Sequence, residues 1–482
     1  MRFFNKKLLF IFLLIFSCKL TSTAFAQSIK IYPDSVLNDV HNKPLGINLD
    51  YFMDNDNYLK PHRKLVDALK AMGVKYLRYP GGNKSDFYLF SRPPYDKSLP
   101  TLARTGKDAV GGRNRVLNNT ATGYKNEVLD FDEFMEVCHE TGAEPVIVVA
   151  GDEYLVDYPK GSTWSTKEQL LKNATEWVRY ANIKKKYGVK YWMIANESWG
   201  PENKNSNADI YAQDVIDFSK AMKSVDPTIK IIPNGNGDAW WKTVLTKAGG
   251  YIDDLCLSNY PLYGLKKGFY SYRDTVQNLM PQVDAAKKAI AEYADAKMQA
   301  KLKIIVAEYG PFDWKNWPLM NNMGYNMANF EITGEQLKRP EIEFSCFWNT
   351  RWIDNDSVKY SVFDALNKEG AFNANGTGIM IWGKYLQQQM VQSTSTMHLR
   401  TFASYTPGTK KLVVFFLNKS DDAITVNPEI DRHNVKEITQ TGELTSTGPD
   451  DVSPVWTEQQ WQIPPVNLTV KANSIKVVIY QL

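Results

Sequence analysis

The sequence predicts an α/β protein, a (β/α)8 TIM barrel with a C-terminal antiparallel β-sandwich. Three observations lead there. Eight strand-length apolar runs recur between Pro44 and Trp348, separated by stretches of helical periodicity. The runs are near-continuously apolar rather than alternating, as parallel strands covered on both faces are. From about Ser395 the helical pattern stops, and strand-like runs follow one another across Asn, Asp, Gly, Ser and Pro turns. Strands alternating with helices over this length build a closed parallel barrel. A doubly wound open sheet is the alternative that the same alternation allows.

The elements follow in order. Residues 1–26 read as a signal peptide: Arg2, Lys6 and Lys7 precede an apolar run, and Ala24-Phe25-Ala26 offers a small-x-small cleavage site. The run is too short to span a bilayer as a permanent helix, and no later segment is apolar enough to be a transmembrane span. Export to the periplasm or the exterior is expected. Lipid attachment at Cys18 is the competing expectation, although Ile15-Phe16-Ser17 is a poor context for it. Residues 27–42 supply a strand that joins the sandwich. Residues 43–394 form the barrel, with strands expected at 44–49, 74–79, 145–150, 191–196, 229–233, 255–260, 304–308 and 342–348. Helical patterns between them include 61–72, 131–141, 167–187, 208–225 and 274–300. Residues 395–482 form the sandwich.

Composition excludes several classes. A net charge of +4 on 482 residues, with no basic stripe interleaved with aromatics, gives no support for nucleic-acid binding. Five histidines, none clustered with another His or a Cys, argue against a zinc hydrolase. No metal or cofactor is expected. Cys138, Cys256 and Cys346 sit inside apolar runs and read as buried free thiols. Gly-x-Ser-x-Gly and P-loop motifs are absent. The irregular stretch 93–129, after the second strand, has the length of a functional loop.

The chemistry lies at strand ends. Tyr191-Trp192-Met193-Ile194-Ala195-Asn196-Glu197 and Lys303-Ile304-Ile305-Val306-Ala307-Glu308-Tyr309-Gly310 are apolar runs that reach a glutamate. Barrel enzymes take their catalytic residues from the C-terminal ends of strands. The other strand ends carry Asn48 and Asp50, Arg78 to Asn83, Asp152, Asn259-Tyr260 and Trp348-Asn349. Paired carboxylates cleave glycosidic bonds, while amides and aromatic faces bind sugars. Trp199, Trp314, Trp317 and Trp352 also fall near strand ends. A single Glu at a strand end would only solvate it; two, on strands four and seven, point to catalysis.

At this level the chain resembles the retaining glycoside hydrolases of clan A, and most of all glycoside hydrolase family 51, the α-L-arabinofuranosidase group. The resemblance rests on Asn196-Glu197 and Glu308, on Leu77-Arg78-Tyr79-Pro80-Gly81-Gly82-Asn83, on the helix from Phe131 into Gly142-Ala143-Glu144-Pro145, and on Glu176-Trp177-Val178. It implies Glu197 as general acid/base and Glu308 as nucleophile. It further implies substrate binding by Asp50, Asn83, Asn196, Tyr260 and Gln389, the last within Gln389-Met390-Val391-Gln392. Arg78 either supports the ionised Glu308 or forms a buried salt bridge at the barrel floor; Asn259 and Trp348 complete the set of binding candidates. Three stretches depart from the family: Asn259 replaces a His, Lys84-Ser85-Asp86-Phe87-Tyr88 replaces an aromatic-rich continuation, and Gly151-Asp152-Glu153 replaces an Asn- and Gly-rich loop. The expected function is thus a secreted retaining hydrolase of plant or algal polysaccharide that releases α-L-arabinofuranose. An endo-acting β-glycanase and a catalytically dead carbohydrate-binding barrel are the alternatives.

Overall fold

The computed structural model describes residues 26–51, 53–102, 128–151, 166–200, 207–265, 268–311, 321–351, 363–460 and 468–482. Residues 1–25, where a signal peptide is expected and Cys18 lies, most of the 93–129 loop, Asp152, Trp314, Trp317 and Trp352 lie outside these residues. No helix among the described residues is long and apolar enough to cross a membrane.

Eight parallel strands form one sheet: β1 (Leu45–Asn48), β2 (Tyr76–Tyr79), β3 (Glu144–Val149), β4 (Tyr191–Ile194), β5 (Lys230–Pro233), β6 (Leu255–Asn259), β7 (Ile304–Tyr309) and β8 (Ile342–Phe347). Their order is β5-β4-β3-β2-β1-β8-β7-β6. A parallel bridge between Asn234 and Cys256 joins the two ends, so the sheet closes into a barrel. All eight expected strands are present. Each is followed by a helix on the outside: α1 (Leu65–Met72), α2 (Phe131–Thr141), α3 (Lys167–Val178), α4 (Ala208–Val225), α5 (Asp238–Ala248), α6 (Pro281–Tyr293), α7 (Met323–Leu337) and α8 (Ala374–Tyr385).

Local chemistry sets the helix ends. Asp130 caps α2 by accepting the Glu133 N–H, Glu133 returns the bond to the Asp130 N–H, and Gly142 closes the other end in a left-handed conformation. The pattern over 274–300 is not one helix. Pro281 starts α6, and Asp295, whose side chain accepts the Met298 N–H, starts a separate helix at Ala296–Lys301. The pattern over 167–187 also divides, because α3 passes into a π-helical turn at Arg179–Lys184.

The barrel interior is filled by inward residues of alternate positions, among them Tyr76, Val146, Val148, Met193, Phe344 and Cys346. Cys256 lies in the same layer, and all three described cysteines are buried free thiols. The sandwich region is one nine-stranded sheet, antiparallel except where Gln27–Asp39 runs parallel to Ile424–Ile430. One face carries its own core, including Ile31, Leu412, Val414 and Val478. The other face packs on α7 and α8, with the Trp382 ring 4.3 Å from that of Phe415. Every residue of α7 except Glu335 is buried between the two layers. Glu331 on this helix takes ion pairs from Arg400 at 2.7 Å and Lys419 at 3.0 Å, which cross from the sandwich.

Candidate active site

Strand alternation places Asn48, Arg78 and Met193 toward the barrel axis. Regular alternation would turn Glu308 outward, because Ile305 and Ala307 already face inward. The register shows why it does not. Val306 pairs with Leu257 and Glu308 with the next residue, Ser258; on the other edge, Val306 pairs with Ser345 and Tyr309 with Phe347. One extra residue therefore sits in β7 against both neighbours. This β-bulge re-aims Glu308 into the barrel mouth, a role bulges often have beside active sites.

Glu308 is 5 % exposed and held from two sides. Arg78 Nη1 donates to its Oε1 at 2.8 Å, and the Tyr260 hydroxyl donates to its Oε2 at 3.0 Å. The same guanidinium donates to Asn48 Oδ1 at 2.8 Å and Asn196 Oδ1 at 2.5 Å. Asn48 is anchored in turn by donating to the Ala307 carbonyl at 2.9 Å. Burial disfavours charge on Arg78, but the Glu308 carboxylate outweighs it and holds the guanidinium above its ordinary value. Burial, then the Glu308 and Glu197 charges, push the Tyr260 hydroxyl well above its ordinary value. Tyr260 thus stays a neutral donor. Both glutamates act on Tyr260 and on the Cys256 thiol, which burial pushes up to about 12. Both carboxylates thus lie on the side of the barrel where β4, β6 and β7 end, and both act electrostatically on residues of β6 and the turn after it.

Glu197 is half-buried, on a turn just past β4. Asn196 beside it is buried, and its amide group donates to Asn83 Oδ1 at 3.4 Å. Asn83 is exposed at the cleft mouth. It belongs to a 3-10 turn, Gly82–Phe87, whose entry needs glycine: Gly82 has φ 49°, and a Cβ there would collide with the Trp348 ring. Trp348, 7 % exposed, is thereby pressed against the turn that carries Asn83.

Asp50 is 1 % exposed and forms an ion pair with the buried Lys84 ammonium. Behind it, Asp54 accepts the Asp50 N–H at 2.7 Å and pairs with Arg351 at 3.0 Å. Any sugar contact by Asp50 thus involves a carboxylate already shared with Lys84.

Two expected binding residues lie elsewhere. Asn259 is fully buried, and its amide donates to the Leu279 carbonyl at 3.0 Å, outside the barrel wall. Ser258, not Asn259, sits opposite Glu308, and alternation turns the next side chain away. Gln389 pairs with Asp39 and Tyr405 in the nine-stranded sheet. The neighbouring Val40 leads into the start of β1, at the barrel end opposite the glutamates. Helix α8 descends to that end, with Gly383 against Met72 at the foot of α1, so the chain cannot present Gln389 to the cleft.

Sequence reasoning gave no role to Lys84, Asp86 or Asn234, noting the first two only as part of a departure from the family pattern. Asn234 follows β5 and carries the strand-end signal used for the other strands. Lys84 and Asp86 are two charges inside a buried turn, a signal visible in the string but without its partners.

Residues 68–279 match the sequence profile described as the alpha-L-arabinofuranosidase 1 domain, a span that holds Arg78, Asn83, Asn196, Glu197 and Tyr260. The chain is similar to the α-L-arabinofuranosidases of family 51. It is 25 % identical over 301 residues to the intracellular exo-α-(1→5)-L-arabinofuranosidase of Acetivibrio thermocellus, covering 58 % of this chain and 53 % of that one. It is 30 % identical over 196 residues to the probable α-L-arabinofuranosidase C of Aspergillus clavatus, covering 37 % of this chain and 33 % of that one. The chain thus matches between a third and about half of these relatives. The crystal structure of the Thermotoga maritima α-L-arabinofuranosidase, an arabinose complex, superposes with a TM-score of 0.71 at 20 % identity, over 94 % of this chain and all of that one. That likeness shows a common fold.

Proposed function

We propose that the protein is a retaining glycoside hydrolase that releases α-L-arabinofuranose, with Glu308 as nucleophile and Glu197 as acid/base. The observation that carries this reading is the asymmetry of the two carboxylates. Glu308 is fixed by a guanidinium and a neutral hydroxyl, which suits an ionised nucleophile. Glu197 is half-buried on the turn past β4, a more open setting than that of Glu308, which suits a group that must gain and lose a proton.

The chemistry runs in two displacements. A Glu308 oxygen supplies the electron pair for a bond to the anomeric carbon. The bond from that carbon to the leaving oxygen breaks, and the leaving oxygen takes the Glu197 proton. Water then gives a proton to Glu197, its oxygen bonds to the anomeric carbon, and Glu308 leaves as carboxylate. Arg78 and Tyr260 stabilise the charge on Glu308 as it returns. Asn196 and Asn83 are the proposed hydrogen-bond partners of the sugar hydroxyls, supported by their bond to each other beside Glu197. The substrate is a side-chain or terminal arabinofuranose of plant or algal polysaccharide, reached after export directed by residues 1–26.

The test is hydrolysis of aryl α-L-arabinofuranosides, with product sizing on arabinan and on linear β-glycans. Free arabinose alone supports the reading. A ladder of oligomers from a β-glycan, with arabinofuranosides untouched, replaces it with an endo-acting β-glycanase.

A further inference from the structure

The turn that carries Glu197 is conformationally expensive. Ala195 and Glu197 both have left-handed backbones, with φ of 59° and 46°. Residues with side chains persist there only when the surroundings over-determine them. Two buried side chains do so from opposite sides. Asp86 Oδ1 accepts the Asn196 N–H at 3.0 Å, and Asn234 Oδ1 accepts the Ser198 N–H at 2.9 Å. These are the N–H groups of the residues immediately before and after Glu197. Asp86 is 6 % exposed and Asn234 is 5 % exposed, so neither bond competes with bulk water.

Both jaws are themselves anchored. Asn234 Nδ2 donates to the Ile194 carbonyl and to Ser198 Oγ, each at 2.9 Å, and its own N–H donates to Tyr211 Oη at 2.8 Å. Asp86 belongs to the turn Gly82–Phe87, whose Lys84 is pinned by Asp50. Lys84 and Asp86 lie in one of the three stretches where the sequence departs from the family pattern. The bond at Asp86 is charge-assisted, and such bonds are the stronger kind.

We propose that Asp86 and Asn234 are positioning residues for proton transfer by Glu197. They clamp the two flanking amides so that the carboxyl is aimed at the leaving oxygen. The inference rests on the proposed role of Glu197 as proton donor. In the first displacement the Glu197 O–H breaks as its proton passes to the glycosidic oxygen, while the anomeric carbon exchanges that oxygen for one of Glu308. A dinitrophenolate leaves with the bond electrons and needs no proton. A sugar alkoxide does need one. Loss of aim at Glu197 must therefore show in one substrate and not in the other, whereas a general loss of structure shows in both.

The experiment compares kcat/KM for the parent and Asp86→Ala on α-1,5-linked arabinobiose and on 2,4-dinitrophenyl α-L-arabinofuranoside. Misplacement of a catalytic group by about 1 Å costs on the order of 100-fold, so the disaccharide value is expected to fall about 10- to 100-fold. The aryl value is expected to fall no more than about threefold, since that step makes no use of the acid. Asp86→Asn keeps an acceptor oxygen in place and is expected to recover most of the disaccharide rate. Should Asp86→Ala not fold, Asn234→Ala carries the same test from the other side of the turn. Equal losses on both substrates, or no loss on either, overturn the inference. A parent enzyme inert on both arabinofuranosides overturns the proposed activity itself, and the inference with it.

Discussion

Arg78→Met probes the contact on which the site depends most. The guanidinium makes hydrogen bonds of 2.8, 2.8 and 2.5 Å to Glu308, Asn48 and Asn196. The Arg78 and Glu308 side chains are 2 % and 7 % exposed, so water does not replace a lost partner. Removing one side of a buried ion pair costs about 3–5 kcal/mol, because a buried charge is left uncompensated. That is a large share of a typical stability of about 5–15 kcal/mol. Glu308→Gln is milder: the guanidinium keeps neutral acceptors and loses one charge-assisted bond, about 2 kcal/mol. The double variant holds no unpaired charge and is expected to cost about 3 kcal/mol. The single losses sum to about 5–7 kcal/mol, leaving a coupling of about 3 kcal/mol, the upper range for residues in contact. Denaturant unfolding of the four proteins measures it. Losses that add within about 0.5 kcal/mol would refute the reasoning, since the pair would then be energetically independent.

Other expectations follow from the same contacts. Tyr260→Phe removes one donor to Glu308, and a hydrogen bond to a charged group is worth about 1.5–3 kcal/mol; kcat is expected to fall roughly 10- to 100-fold with the melting temperature nearly unchanged, and an undiminished kcat would remove Tyr260 from the mechanism. Glu458 bridges the sandwich to Lys384 of α8; burial opposes its charge, but bonds from Lys384, Trp456 and Tyr385 prevail and hold it at about 2, below its ordinary 4.5. A lowered carboxyl adds stability that is full above pH 4.5 and is lost as pH falls toward 2, so Glu458→Gln should flatten the fall in melting temperature across that window; an unchanged profile contradicts the assignment. Gly82→Ala forces a Cβ into the Trp348 ring at positive φ and should lower both stability and kcat/KM, whereas the same change at Gly142, where a Cβ meets nothing within 4 Å, should affect stability alone.

The barrel was legible because its strands are buried on both faces and write themselves as continuous apolar runs. Glu197 and Glu308 were legible as residues for the same reason, since a carboxylate interrupting such a run stands out. The orientation of Glu308 was not, because it depends on a bulge in β7 that shows only in the pairing register. Asn259 was misplaced by one step of alternation, and Gln389 by reading a four-residue string without the path of α8. Lys84 and Asp86 read as departures from a family pattern; that they brace Asp50 and Asn196 is long-range information. The single helix expected over 274–300 failed at Asp295, whose capping strength was visible in the sequence but outweighed by the surrounding periodicity.

The central claim is a covalent intermediate on Glu308. A mechanism-based arabinofuranosyl inactivator, followed by proteolysis and mass spectrometry, tests it most directly. Stoichiometric labelling of the peptide that contains Glu308, absent in Glu308→Gln, is the predicted result. A label on Glu197 or on another carboxylate, in an enzyme that turns over arabinofuranosides, would contradict the account.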